Sequence, residues 1–218
     1  MSIIFSSCLD NNLKFKSVSL PPIILFNDGP YIVMGIHSVS QGLQCLGRYG
    51  YCDEFPPEQF YRDVRIHPIH EGTTSIQGMD LLGRKVTMQK GKAFTCLLEE
   101  INKTILAATE DSELMPLAKE LIGAVENLKK VTAHLMGIAA KGSPDLFLAD
   151  ATLYLEAFSI IGIAWQWLKQ GLAVREAIKK GFKSNEQNFY EDKLYTMRFF
   201  FGNHSFLPLY RDFPDVNF

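Results

Sequence analysis

Between Ile66 and Val86 a proline and a glycine four residues apart, Pro68 and Gly72, interrupt apolar residues that otherwise recur at helical spacing. Pro68 lacks a backbone N–H and pushes His67 out of the helical region, so a helix is expected to break at His67-Pro68. A new helix should follow, capped by Thr73 or Thr74, with Ile76, Met79, Leu82 and Val86 forming one buried stripe. Glu71 then falls near the positive end of that helix, where its ionised form is favoured and it stays available as a base. Gly72 has no side chain and lets a ligand approach the backbone. The Glu71 N–H is then free to meet a carbonyl oxygen while its carboxylate works on a neighbouring C–H. On Glu71-Gly72 alone, a surface glutamate stabilising a helix end by about 0.3–1 kcal/mol is the simpler reading.

Elsewhere the pattern is also helical. Val33, Ile36, Val39, Leu43 and Leu46 repeat at helical spacing up to Gly47, Tyr49 to Asp53 reads as a turn, and Phe55-Pro-Pro-Glu58 opens a helix with Phe60, Val64 and Tyr61 inward. Arg62, Asp63 and Arg65 on that helix read as a solvated or locally paired face. Lys92 to Ala108 carries Phe94, Leu97, Leu98, Ile101, Ile105 and Leu106 and breaks at Thr109-Glu-Asp-Ser112. Ser112 should cap the next helix, striped by Leu114, Leu117, Leu121, Val125, Leu128, Val131 or Thr132, and Leu135, and ending at Lys141-Gly142. Ser143-Pro144-Asp145 is a well-formed start for one apolar helix running to Lys180-Gly181, with Gly162 and Gly171 as points of close packing or bending. Asn185 to Phe201 reads as an amphipathic helix, aromatic on one side through Phe189, Tyr190, Tyr195 and Phe199. Trp165 and Trp167 are expected to fill core or interface. The stripes and short breaks predict an all-α, up-and-down bundle, with residues 203–218 as an irregular strap across it. Residues 1–30 show no sustained period, only turn signals at Leu20-Pro-Pro-Ile23 and Asn27-Asp-Gly-Pro30.

The 218 residues suffice for one large domain or two small ones. A net charge of −2 and the lack of a basic strip interleaved with aromatics set nucleic acid aside as a partner. Cys8, Cys45, Cys52 and Cys96 are too sparse for a disulfide scaffold and read as thiols of a cytoplasmic protein. The N-terminus has no secretory pattern, and Ala151 to Leu168 is interrupted by Glu156 and Gln166, so a buried bundle helix explains it better than a membrane span. His67, His70 and Glu71 spell His-x-x-His-Glu, but Pro68 and Gly72 are expected to prevent the helix that would bring metal ligands to one face. No metal is expected, and His134 and His204 read as structural.

Two signatures in order, Gln44-Cys-Leu-Gly-Arg-Tyr-Gly-Tyr51 and Tyr61-Arg-Asp-Val-Arg-Ile-His-Pro-Ile-His-Glu-Gly-Thr-Thr-Ser-Ile-Gln77, resemble the C-terminal helical region of flavin-dependent acyl-CoA dehydrogenases. Asp80-Leu-Leu-Gly-Arg-Lys85 and the long helical run after it resemble the subgroup with a C-terminal extension. The resemblance implies a divergent or non-native segment over 1–34, the end of the C-terminal helical domain over 35–90, and a helical extension domain over 91–218. It also implies that the family's N-terminal and β domains, which build most of the flavin and substrate site, are missing.

By this resemblance Glu71 is the catalytic base that removes the α-proton of an acyl-CoA thioester while a hydride leaves the β-carbon for FAD, forming a 2-enoyl-CoA. Glu71 and Gly72 would bind the substrate, the Glu71 N–H polarising the thioester oxygen. Gln44, Gly47 and Arg48 match positions near the adenosine diphosphate part of FAD bound mainly by a neighbouring subunit. Arg48 stands where the family carries a second glycine, and an arginine pairs with phosphate but is bulkier. Thr73 and Ser75 match positions that contact flavin from the other side, and His70 replaces a more usual tyrosine. Implied partners are acyl-CoA, an electron-transfer flavoprotein, and either further copies of the chain or a protein carrying the missing domains. Turnover by the isolated chain is not expected, and the alternative is a non-catalytic helical assembly or companion subunit.

Overall fold

The computed structural model describes residues 30–70, 72–181 and 186–203. In order come α1 (Pro30–Cys45), a 3₁₀ turn (Gly47–Tyr51), α2 (Pro56–His70), α3 (Thr74–Asp80), a π turn (Leu81–Lys85), α4 (Met88–Thr109), α5 (Met115–Ala140), α6 (Pro144–Leu148), α7 (Ala151–Lys180) and α8 (Gln187–Asn203). The chain is all-α, with no strand among the described residues. The expected strap beyond Asn203 and the first 29 residues lie outside that description.

The described residues divide into two compact units, one of those up to Met88 with Ala151–Ser159, the other of Gln89–Asp150 with those from Ile160 on. In the first unit α1 packs on α2, where a Cβ on Gly35 would lie 3.2 Å from Val64 Cγ2. Gly50 is buried because the chain turns back on α1: a Cβ there would sit 2.7 Å from the Leu43 carbonyl oxygen. The buried residues of this unit include Leu81, Leu82, Val86, Tyr154, Leu155 and Phe158. Gly78 lets α3 abut the first turn of α7 backbone to backbone, since a Cβ on it would come within 2.6 Å of the Ala151 carbonyl oxygen.

The second unit is the up-and-down bundle. Trp165 Nε1 donates to Thr104 Oγ1 at 2.8 Å and Arg175 Nε to Asp111 Oδ2 at 2.9 Å, so later residues of α7 meet later residues of the α4 end and the two run parallel. Gly171 and Met197 lie comparably far from the link between α7 and α8. A Cβ on Gly171 would be 2.7 Å from Met197 Sδ, which makes those helices antiparallel neighbours. Buried Ile101, Ile105, Leu121, Leu128, Leu168 and Met197 sample all four long helices.

Several expected details differ. Apolar Pro144 to Lys180 is two helices, not one, parted by a turn at Ala149-Asp150. Gly171 is a point of close packing, whereas a Cβ on Gly162 would meet nothing within 4 Å. Phe60, Leu106, Phe189, Tyr195 and Phe199 are exposed, and α8 buries Leu194, Met197, Phe200 and Phe201 instead. The aromatic spacing there was legible, and the inward face is the one whose Met197 lies against Gly171. Ser112 is exposed and caps nothing. Asp111 organises the α5 entry, its carbonyl accepting from Leu114 N and Met115 N and its Oδ1 from Glu113 N at 3.0 Å.

Ahead of the regular part of α4, Gln89 (φ 51, ψ 41), Lys90 (φ 59, ψ 39) and Gly91 (φ 83, ψ 6) form a left-handed turn. Only glycine adopts that backbone without a cost of about 1–2 kcal/mol per residue. The segment Pro144–Lys180 is long and apolar enough by composition to cross a membrane, and half of its most apolar window is buried inside the chain.

Two predictions follow from this packing. Gly78→Ala drives a Cβ into main-chain atoms that cannot move aside and should destabilise by about 1–3 kcal/mol. Gly162→Ala enters open space within a helix and should stabilise by about 0.5–1 kcal/mol, both read by urea unfolding. The Arg175 guanidinium holds the buried Asp111 carboxyl below the usual carboxylate range. That contribution is present above pH ~4 and lost as pH falls through the lowered value. Asp111→Asn should therefore lower Tm at pH 7, and its difference from the unmodified chain should shrink in more acidic buffer.

Candidate active-site segment

The sequence-predicted residues fall into two groups at opposite ends of α2. Its 15 residues separate the groups by about 20 Å along the helix axis. The first group closes α1. Gln44 and Gly47 are exposed, and Gly47 takes φ +58 with no atom within 4 Å of where a Cβ would be. The backbone is therefore bare at the helix end, the position at which a left-handed glycine commonly stops a helix. Arg48 is exposed, with its guanidinium 5.6 Å from the Tyr49 ring centroid, and its carbonyl accepts from Cys52 Sγ at 3.6 Å. An exposed amide, a bare turn and an exposed guanidinium within five residues of sequence make a donor set of the kind that fits a diphosphate group.

The second group opens α3. Glu71 lies outside the described residues. Its neighbours are described: α2 ends at His70, and Gly72 takes φ +111, a conformation that L side chains rarely adopt. Thr73 is the N-cap residue with extended backbone (φ −76, ψ 161), but its hydroxyl makes no capping hydrogen bond; its carbonyl accepts from Gln77 N at 3.0 Å. The Thr73 and Ser75 side chains are exposed. Their hydroxyls suit a polar ring edge, so this group also fits a flavin.

Two expectations about this segment need correction. The helix does not break at His67-Pro68: α2 runs through Pro68 to His70. So near the end of a helix, proline removes only the hydrogen bond to the Val64 carbonyl, and the chain turns instead at Gly72. His67 and His70 therefore share a helix, and Pro68 does not part them. Among the described residues no group of three or more His, Cys, Asp or Glu side chains could hold a metal ion.

Nor do Ile76, Met79, Leu82 and Val86 form one buried stripe, because Ile76 is 53 % and Met79 38 % exposed. The buried positions are Gln77, Gly78, Leu81, Leu82, Lys85 and Val86. These pairs recur every four residues, a spacing that a regular helix would let drift. The π turn keeps them on one side, with Val86 N donating to Leu81 O at 2.9 Å in an i→i+5 bond.

Sequence reasoning also missed the buried polar pair of this segment, Gln77 and Lys85. Lys85 Nζ lies 3.7 Å from Asp80 Oδ2. Arg84 donates to the same carboxylate, through Nε to Oδ1 and through Nη2 to Oδ2 at 2.9 Å, and these bonds hold the Asp80 carboxyl below the usual range. The five-residue spacing of Asp80 and Lys85 was the available signal, since it faces one side only in a π turn.

Residues 97–208, a little over half of the chain, match the family described as "Acetyl-CoA dehydrogenase C-terminal like", and residues 34–86 match "Acyl-CoA dehydrogenase, C-terminal domain". The chain belongs to the acyl-CoA dehydrogenase family and corresponds to its C-terminal part. It is 28 % identical over 176 residues to a broad-specificity linear acyl-CoA dehydrogenase of Mycobacterium tuberculosis, covering 78 % of this chain and 28 % of that protein. It is 31 % identical over 171 residues to a 3-methylmercaptopropionyl-CoA dehydrogenase of Ruegeria pomeroyi, covering 76 % of this chain and 28 % of that protein. With the mitochondrial short-chain specific acyl-CoA dehydrogenase of Rattus norvegicus it shares 49 % identity over 43 residues, 20 % of this chain and 10 % of that protein. The chain thus spans little more than a quarter of the length of the first two relatives.

Asp80→Asn leaves the buried Lys85 ammonium without its carboxylate and should cost about 1–3 kcal/mol. Because the Asp80 carboxyl is lowered in the fold, the loss should be full at pH 7 and should fade as pH drops below ~4, read by chemical denaturation.

Proposed function

We propose that this chain supplies the base-bearing part of an FAD-dependent acyl-CoA dehydrogenase. Glu71 takes the α-proton of an acyl-CoA thioester as a hydride equivalent leaves the β-carbon, giving a 2-enoyl-CoA. FAD, when bound, accepts that hydride equivalent. The observation that carries the reading is the turn at Gly72, on a backbone that glycine favours, with the Thr73 hydroxyl not engaged in capping. It stands inside the matched C-terminal domain, next to the one carboxylate the resemblance assigns as base. The Glu71 and Gly72 backbone would orient the thioester oxygen, Thr73 and Ser75 would face the flavin ring, and Gln44, Gly47 and Arg48 would meet the diphosphate of a flavin in a neighbouring site. The separation along α2 favours two different flavin contacts over one.

The division we favour is residues 35–90 as the end of the C-terminal helical domain and 91–218 as the extension, with 1–34 outside both. Matches that stop at 86 and resume at 97, and the left-handed turn at 89–91, support it. Free Cys45, Cys52 and Cys96 support a cytoplasmic setting. The burial of Tyr154, Leu155, Ile161 and Leu168 supports a core helix in place of a membrane span. Electron-transfer flavoprotein as the oxidant rests on the family resemblance.

The second reading, a non-catalytic assembly or companion subunit, is favoured by the exposed Phe60, Ile66, Ile69, Ile76 and Met79 on α2 and α3. Apolar side chains gathered on two consecutive helices invite burial against another copy or against a protein carrying the remaining domains. Both readings share an expected outcome: the purified chain is colourless and inactive. Mixed with a protein supplying the N-terminal and β domains, it should reduce a dye with acyl-CoA substrates. Glu71→Gln should then lower turnover about 10²–10⁴-fold with assembly intact by light scattering. A stoichiometric yellow cofactor on the isolated chain would overturn the inactivity, and unchanged turnover in Glu71→Gln would overturn the base assignment.

A further inference from the structure

We infer that the Asp80–Lys85 charge pair sets the backbone register after α3, selecting the π turn over a regular helix, so that removing the Lys85 charge switches one register to the other. A π turn is a rare form, found mostly as single turns inside helices, and it needs a local cause. Helix closure is not that cause. The i→i+5 bond from Val86 N to Leu81 O resembles the bond of a left-handed helix end, but no residue from Leu81 to Val86 has a positive φ, and Val86 itself takes φ −66 and ψ −36.

The side chains supply the cause, because two consecutive cations share one carboxylate. Arg84 donates to Asp80 through both Nε and Nη2, and Lys85 Nζ lies 3.7 Å from Asp80 Oδ2. The Arg84 contact spans four residues, a spacing that a regular helix serves equally well. The Lys85 contact spans five, and in a regular helix those two side chains would stand about 140° apart around the axis. Arg84 is exposed, whereas Lys85 is 7 % exposed. A regular register would therefore part a buried ammonium from its carboxylate, and an uncompensated buried charge is strongly destabilising. The apolar neighbours are close to indifferent: the step from Leu82 to Val86 drifts only about 40° in a regular helix, too little to take Val86 out of the core. Two further contacts hold the ends of the segment. Gly78 abuts the Ala151 main chain upstream, and downstream Thr87 Oγ1 donates to Gly83 O at 2.9 Å and lies 3.1 Å from Arg84 O. The charge on one side chain is thereby converted into the angle at which α3 meets the residues that follow it.

The test uses the isotope-labelled 218-residue chain and reads, by NMR, the nitrogen-to-carbonyl coupling across the hydrogen bond of Val86 N–H. The unmodified chain should show Leu81 as the acceptor. Lys85→Met keeps an unbranched side chain and removes the charge, and it should move the acceptor to Leu82. Arg84→Met removes the cation whose spacing suits either register, and it should leave Leu81 as the acceptor. Leu81 retained in Lys85→Met overturns the inference, and so does Leu82 in Arg84→Met or in the unmodified chain. Should Lys85→Met fail to fold, Asp80→Asn combined with Lys85→Met buries no unpaired charge and is read in the same way: Leu82 supports the inference and Leu81 overturns it. A pair that only stabilised the fold would lower the unfolding midpoint on substitution and leave the acceptor where it is.

Discussion

The second unit is tied together by one buried carboxylate. Asp111 sits at the end of α4, is 8 % exposed, and accepts from Arg175 on α7 while its own carbonyl and carboxylate start α5. Arg175 also donates to Glu113, which takes a further bond from Arg198 on α8 at 2.6 Å. All four long helices therefore meet one charge cluster. The apolar stripes supply most of the burial, but stripes of Leu, Ile and Val tolerate sliding. A guanidinium shared between two carboxylates fixes the register along the axis.

The first unit solves the same problem with shape. Gly78 permits main-chain contact with Ala151, and the π turn that follows keeps Leu81, Leu82, Lys85 and Val86 on one side. The positive-φ turn at Gly72 directly precedes this piece, and the Thr73 carbonyl that follows it accepts from Gln77 N at 3.0 Å.

Helix class and most helix ends were legible in the sequence, because apolar periodicity and Gly or Pro breaks act locally. Gly47 stops α1, Gly142 takes φ +79 after α5, and the Lys92 to Ala108 run is the regular part of α4. What escaped were choices made by tertiary neighbours. Pro68 reads as a breaker, yet one lost hydrogen bond in a last turn is too small a penalty to end α2 before His70. Ile76 and Met79 fit a 3.6-residue stripe, and only the wider π turn moves burial to Gln77 and Lys85. On α8 both faces are aromatic enough to go inward, and pattern alone cannot rank them. Of the candidate site, the glycine turn at Gly72 was legible, whereas the burial of Gln77 was not, since a glutamine in an amphipathic pattern reads as a surface residue.

The reversed turn at Gln89, Lys90 and Gly91 has a consequence for how such a chain accumulates change. A continuous helix transmits angular phase, so a one-residue insertion rotates every downstream side chain by about 100°. Three residues of opposite hand erase that memory, and the segments on either side keep independent clocks. A change of length ahead of the turn is therefore not carried as a rotation into the regular part of α4.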